Sequence, residues 1–408
     1  MPPVPPTGDE HLKLEVAAPP GWSFVAGDTI IGSIVRHAPI RSPDAKVSLA
    51  LVGRARINPE LDDFSEFRSH TCYLLYRVQD ALFRGPLHHA QDSEEALNWQ
   101  FSMQIPSEPD QTVIKEHSGS ESFIPLDDPW HPGHHTFPGS FFSSRKHLAF
   151  RTEGFIEYYL RARLECIFGG SKRTMDATWP IIMRHPVDES VNLQTLRQIS
   201  AMRRIKSWSL VPGMKDPKKT IRWSRTPEFY FRVKMSYPEA AQIDNPQTIP
   251  VILEIVPDLE TSAPLKGTLP RIQVNWVSMV LLSSCHLARE RPSALPGMRA
   301  HRNEVHEWQY DFGLDRLFKV FDTPLVLSTD EKGYKPFNMG RMFQLALRSD
   351  GLVAGTRLLA HPATGIHPDF ASHDIKHCNR VQWTVSLTVA GEAEEVTGSG
   401  PLKLIAPA

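Results

Sequence analysis

The residues best suited to chemistry crowd into one stretch near the C-terminal end: His367, Asp369, His373, Asp374, His377 and Cys378. Zinc takes imidazole, carboxylate and thiolate ligands, and three of them leave a coordination position open for catalysis. Such a centre needs side chains that converge. In an extended segment His373, Ile375 and His377 point to one face while Asp374 and Lys376 point to the other, so the stretch reads first as a solvated strand and loop. A metal-dependent enzyme built on His367, Asp369, His373 and His377 is the rival reading. Three more imidazoles, His131, His134 and His135, lie in a segment rich in proline and glycine, where a surface connection is the simpler account. The last cluster is cationic. Arg197, Arg203, Arg204, Lys206, Lys215, Lys218 and Lys219 have Asp216 as their nearby acid, and Arg197 and Arg204 share a face if the segment is helical. Clusters of this size bind anionic lipid headgroups at about 1 kcal/mol per base, which makes the segment a candidate lipid-binding linker; a solvated interdomain surface is the competing reading. There is no Gly-x-Ser-x-Gly elbow, no glycine-rich phosphate loop ahead of a helix and no His-Glu-x-x-His pattern. The sequence therefore points away from an enzyme, and neither a cofactor nor a metal is expected.

The elements that must position these residues read as strands. Apolar residues alternate with polar ones at Leu12, Leu14 and Val16, at Val47, Leu49 and Leu51, and most clearly from Ile156 through Tyr158, Leu160, Ala162, Leu164 and Cys166 to Phe168. The same period recurs at Phe229–Tyr237, Ile272–Trp276 and Val381–Val389. Period two with one polar face marks antiparallel sheet. Proline, 35 of 408 residues, exceeds the usual share of about 5% and disfavours helix interiors and central strands. Residues 188–206 depart from the pattern: Val191, Leu196, Ile199, Met202 and Ile205 fall at roughly helical spacing behind Asp188 or Ser190 as a cap. A short helix or ordered linker is expected there. The predicted organisation is all-β, with two immunoglobulin-like sandwich domains in tandem: residues 1–185, a basic linker over 186–225, and residues 226–408.

Composition narrows the function. A formal net charge of −1 gives no global attraction to nucleic acid. The four cysteines, Cys72, Cys166, Cys285 and Cys378, are widely separated and do not resemble a secreted disulfide framework. The run Met1-Pro2-Pro3-Val4-Pro5-Pro6 lacks a basic region followed by an apolar one, so no signal peptide is expected. No stretch approaches the roughly 18 apolar residues that span a bilayer. A cytosolic protein is expected.

Several of these strands also carry a resemblance. Residues 22–35, WSFVAGDTIIGSIV, are similar to the early signature of the arrestin N-domain, an aromatic followed by Gly-Asp and a strand. Residues 47–57, VSLALVGRARI, resemble the next strand as fungal arrestin-like proteins have it. Leu82-Phe83-Arg84-Gly85-Pro86 resembles a later turn, and Gly154–Leu160 a later strand. Pro368-Asp369-Phe370, Ile375, the strand at 381–389 and Gly400-Pro401-Leu402 are similar to the close of the arrestin C-domain. The resemblance, to the fungal-type α-arrestins, covers most of the chain, and its specificity lies in the order of the motifs. It implies a cytosolic adaptor for membrane-protein tails and trafficking machinery, working at the plasma membrane or endosomes, with an anionic membrane surface as a further partner. A structural subunit of a trafficking coat, comparable to the small retromer subunit, is the alternative. Asp128-Pro129-Trp130 resembles the short peptides that clathrin-adaptor appendages recognise and is a candidate adaptor peptide; a packed tryptophan is the plainer reading. The Pro-Pro-x-Tyr motif by which many α-arrestins dock ubiquitin ligases is absent, so any ligase role is indirect. Pro180 stands about where an arginine of the buried polar core would be expected, and phosphate-triggered activation is not carried over.

Overall fold

Alternation becomes strand wherever it is strongest. The computed structural model describes residues 5–61, 69–91, 93, 95–109, 123–124, 136–147, 150–187, 192–210, 226–262, 269–292, 299–319, 325–330, 333–361 and 365–407. Nearly all of this is β. Helix among the described residues amounts to the 3-10 turn Trp208–Leu210 and the short α-helices Asp315–Phe318 and Met339–Phe343, the last capped by Asn338, whose side chain accepts from the Arg341 amide at 2.9 Å. No described helix is long and apolar enough to cross a membrane.

The chain separates into two units. Unit 1 holds residues 1–186 together with 285–306 and 370–377; unit 2 holds 187–284, 307–369 and 378–408. In unit 1, strands β1 (Lys13–Val16), β2 (Thr29–Arg36), β3 (Ile40–Leu61), β4 (His70–His89), β5 (Leu97–Gln104), β6 (Phe141–His147), β7 (Phe150–Phe168) and β8 (Ser171–Ile181) form two antiparallel sheets. One is ordered β1-β2-β5. In the other, β3 lies between β4 and β7, and the far edge of β7 is shared by β6 along Phe150–Ile156 and by β8 along Tyr158–Phe168. Ile156, Tyr158, Leu160, Ala162, Leu164 and Cys166 are buried, as their alternation requires. Gly53 sits where the β3–β4 register shifts, and the Tyr158 ring packs directly on it, leaving no room for a Cβ.

Unit 2 begins with β9 (Leu196–Lys206) and β10 (Glu228–Pro238), followed by β11 (Ala240–Gln242) and β12 (Ile252–Asp258). β10 lies between β9 and β12. A further sheet is built from β13 (Ile272–Pro292), β14 (Arg299–Asp311), Ile375–Val389 and Glu392–Pro401, of which residues 285–292, 299–306 and 375–377 fall in unit 1. Phe229, Phe231, Val233 and Met235 of β10, Leu253 and Ile255 of β12, Val274 and Leu281 of β13, and Val381, Trp383, Val385 and Leu387 join one hydrophobic core. Gly398, opposite Trp383, makes room for its indole.

Two expectations about the middle of the chain need correction. The helix or linker expected across residues 188–206 is strand over Leu196–Lys206, paired with β10 from Leu196↔Pro238 to Lys206↔Glu228. Spacing by three admits a helix for Ile199, Met202 and Ile205, yet Ile205 is buried and Met202 is 47% exposed, so the two lie on opposite faces of a strand. The strand also belongs to unit 2, whose first residue is Val187. Residues 211–225 lie outside the described residues.

Candidate functional site

A concavity in unit 1 is lined in part by its N-terminal residues. Thr7 runs beside β8: its amide donates to the Thr178 carbonyl at 3.0 Å, and the Thr178 amide donates back at 3.1 Å. The partnership then ends. Gly8 has φ 146, and a Cβ there would press on the Leu12 carbonyl. The Asp9 carboxylate accepts from the amides of His11 at 2.8 Å and Leu12 at 3.3 Å, which folds the chain back into β1 and ends its backbone pairing with β8. The gap left behind is an open cleft of about 550 Å³ between Gly8–Leu12 and Arg173–Asp176. Beneath it lies Arg36, 3% exposed, which donates to the carbonyls of His11 at 2.5 Å and Pro39 at 2.9 Å and so ties the turn down. Burial lowers the Arg36 pKa from its ordinary value.

The cleft's charges are unequally spent. Asp9 is consumed by its turn. Asp176 is held by both Nε and Nη2 of Arg163, at 2.8 and 3.3 Å, and that hydrogen bonding raises the Arg163 pKa. Arg173 stacks on Phe168, 4.8 Å from the ring centroid, and no carboxylate pairs with it among the described residues. A stacked guanidinium keeps its donors free for an acceptor. The cleft thus offers the Arg173 cation and the Thr174 hydroxyl to whatever enters.

No protein-family model matches the chain, and no curated protein matches it in sequence.

The cationic cluster expected to meet lipid is divided. Lys215, Lys218 and Lys219 lie outside the described residues, as do Asp128, Pro129 and Trp130 and the imidazoles His131, His134 and His135. Arg197, Arg203, Arg204 and Lys206 stand on β9, each facing a glutamate. Arg197 pairs with Glu239 at 3.1 Å, Arg203 with Glu394 at 3.2 Å, and Lys206 and Arg204 share Glu228 at 2.7 and 3.8 Å. Strand pairing brings those acids in from distant sequence, so the excess positive charge legible in the primary structure is largely met.

The stretch at 367–378 is not the solvated strand expected. His373, Asp374 and His377 are buried. Ser372 closes a tight turn on Ile375, its Oγ accepting the Ile375 amide at 3.0 Å. Strand alternation begins only at Ile375, so Asp374 turns inward. His373, Asp374 and His377 belong to unit 1, and His367, Asp369 and Cys378 to unit 2. Among the described residues no three His, Cys, Asp or Glu side chains gather as metal ligands.

Two catalytic look-alikes emerge that the sequence did not announce. Asp374 Oδ2 lies 3.1 Å from His70 Nε2 and is also hydrogen-bonded by the Cys72 thiol. Burial, then the Asp374 charge and hydrogen bond, push the Cys72 thiol far above its ordinary range, the reverse of what a nucleophilic thiolate needs. The second set is Ser143 Oγ, 2.5 Å from His306 Nδ1, with His306 Nε2 3.6 Å from Glu304. Ser143 and His306 are 2% and 1% exposed. Both sets fasten segments of unit 1 together.

Proposed function

We propose that this protein is a non-enzymatic, arrestin-like adaptor of two β-sandwich units that receives the cytoplasmic tails of membrane proteins for sorting or signalling. The ordered motif series supports the family reading, and the division into two all-β units is compatible with it. One observation carries the functional reading: the cleft beside β8 joins an open strand edge to an unspent guanidinium, and no activated nucleophile stands near it. Such a site holds an extended chain by main-chain bonds and charge and has no group with which to cleave it. The acid–base constellations at Cys72 and Ser143 are withdrawn from solvent by burial, which favours binding over chemistry.

The test is an array of cytoplasmic-tail peptides presented to the full chain, with each bound peptide eluted and weighed. An adaptor retains a subset of tails and returns them with unchanged mass. Retention of none, or peptides shortened or modified in a time-dependent way, would overturn the reading.

A further inference from the structure

We infer that the outer edge of β8 is a strand-addition site for an extended, carboxylate-bearing peptide. The inference rests on the adaptor reading for its biological use and on backbone geometry for its existence. In an antiparallel pair, alternate residues direct their N–H and C=O to the same side. Thr178 exchanges both of its bonds with Thr7 on the side away from β7. The β7–β8 register runs without a break from Tyr158↔Ile181 to Phe168↔Ser171. Asp176 and Thr174, two and four residues before Thr178, therefore point their backbone groups to that same outer side. Among the described residues no backbone bond continues this pairing after Thr7, and the Asp9 turn carries the chain into β1. The cleft opens where the abandoned edge begins, alongside Arg173–Asp176.

Among the described residues nothing bonds to this edge before Thr178, and an unpaired edge next to a cleft is a template for another strand. Its occupant continues the line that Pro5–Thr7 starts, with backbone bonds to Thr174 and Asp176. Charge selects the kind of strand. The acids beside the path are engaged, Asp9 with the His11 and Leu12 amides and Asp176 with Arg163. Lys172 is met by Glu165 at 3.1 Å. Arg173, fixed over Phe168, is the cation left to be answered. An aspartate or glutamate side chain on the incoming strand answers it, and a lysine or arginine there is repelled.

The probes are a seven-residue peptide of alternating valine and glutamate and its counterpart of alternating valine and lysine, titrated into the full chain with hydrogen exchange of the Thr174 and Asp176 amides as readout. The glutamate peptide is expected to bind and to slow exchange at both amides; the lysine peptide is not. Thr174→Pro removes the outward N–H at a place where an edge strand tolerates proline, and it should weaken binding at least about tenfold. Arg173→Glu should reverse the preference between the two peptides, and it keeps the proposal testable if the proline variant does not fold. Binding without protection at Thr174 and Asp176, or equal binding of both peptides, overturns the proposal. So does concentration-dependent protection of these amides in the protein alone, because a second copy of the chain would then own the edge. Tails that bind equally well to Thr174→Pro would leave the adaptor reading standing and this one refuted; glutamate-peptide binding with no tail binding would do the opposite.

Discussion

Removing the Arg54 guanidinium should unfold unit 1 far more readily than removing its partner. Arg54 Nε meets Glu157 Oε1 at 2.5 Å across the β3–β7 ladder, and the guanidinium lies 5.2 Å from the Tyr159 ring centroid. Burial works to lower the Arg54 pKa, and the Glu157 charge and hydrogen bond more than offset it, so the net direction is up. The two side chains are not equally withdrawn from water: Arg54 is 18% exposed and Glu157 1%. The second carboxylate oxygen, Oε2, is buried without a hydrogen-bond partner. Arg54→Met strands a fully buried carboxylate, a loss of about 3–5 kcal/mol. At 2–4 °C per kcal/mol for a unit of about 200 residues, the melting transition falls by roughly 6–20 °C. Glu157→Gln leaves a cation that still touches solvent and should cost less. Replacing both residues with methionine removes both charges and should recover most of the loss, since a buried pair is often no better than an apolar one. Differential scanning calorimetry of the four proteins reads all three comparisons. Equal losses for the single variants, or a double variant as damaged as their sum, would refute the reasoning.

Other consequences concern unit 2. Burial raises the Asp369 pKa to about 6, against the opposing pull of Asn379, the Leu404 amide and Lys403. A carboxyl that holds its proton more tightly when folded stabilises fully below its ordinary pKa of about 3.9, and that contribution fades as pH rises through about 6. Asp369→Asn should therefore abolish a loss of stability between about pH 4 and 6; urea midpoints of variant and wild type that change in parallel would count against it. Gly398→Ala forces a methyl into the Trp383 indole and should cost about 1–3 kcal/mol as overpacking does, measurable by denaturant titration, with an unchanged midpoint as the contrary result. Because Arg203 and Arg204 already face Glu394 and Glu228, changing both to glutamine should leave retention on vesicles of mixed neutral and anionic phospholipid unaltered. A clear drop would restore the lipid role of β9.

The sequence revealed those parts of the structure that are local. Alternation at 156–168, 229–237 and 381–389 needs only neighbouring residues, and each run is strand with its apolar face buried, Phe168 at the end of the first run excepted. β9 was obscured because Arg197 and Arg203 occupy its inward positions, reaching Glu239 and Glu394, so its inner face does not look apolar. The cleft was invisible for a topological reason. It exists because Thr7 finds Thr178, 171 residues away, and because Gly8 then releases the edge. His70 and Asp374 are 304 residues apart, and no spacing rule reaches that far. The histidine-rich stretch at 367–378 was conspicuous by type, but whether it faced water or core depended on the turn at Ser372 and on which unit each half joined.

The adaptor reading stands or falls on one titration. Calorimetry of the full chain with an acidic cytoplasmic-tail peptide, followed by mass analysis of the recovered peptide, measures binding and chemistry in the same sample. The account predicts saturable binding at one peptide per chain, a negative heat-capacity change from buried apolar surface, and a peptide recovered intact. Heat that continues at a steady rate after each injection, with a peptide of altered mass, would show turnover and contradict it.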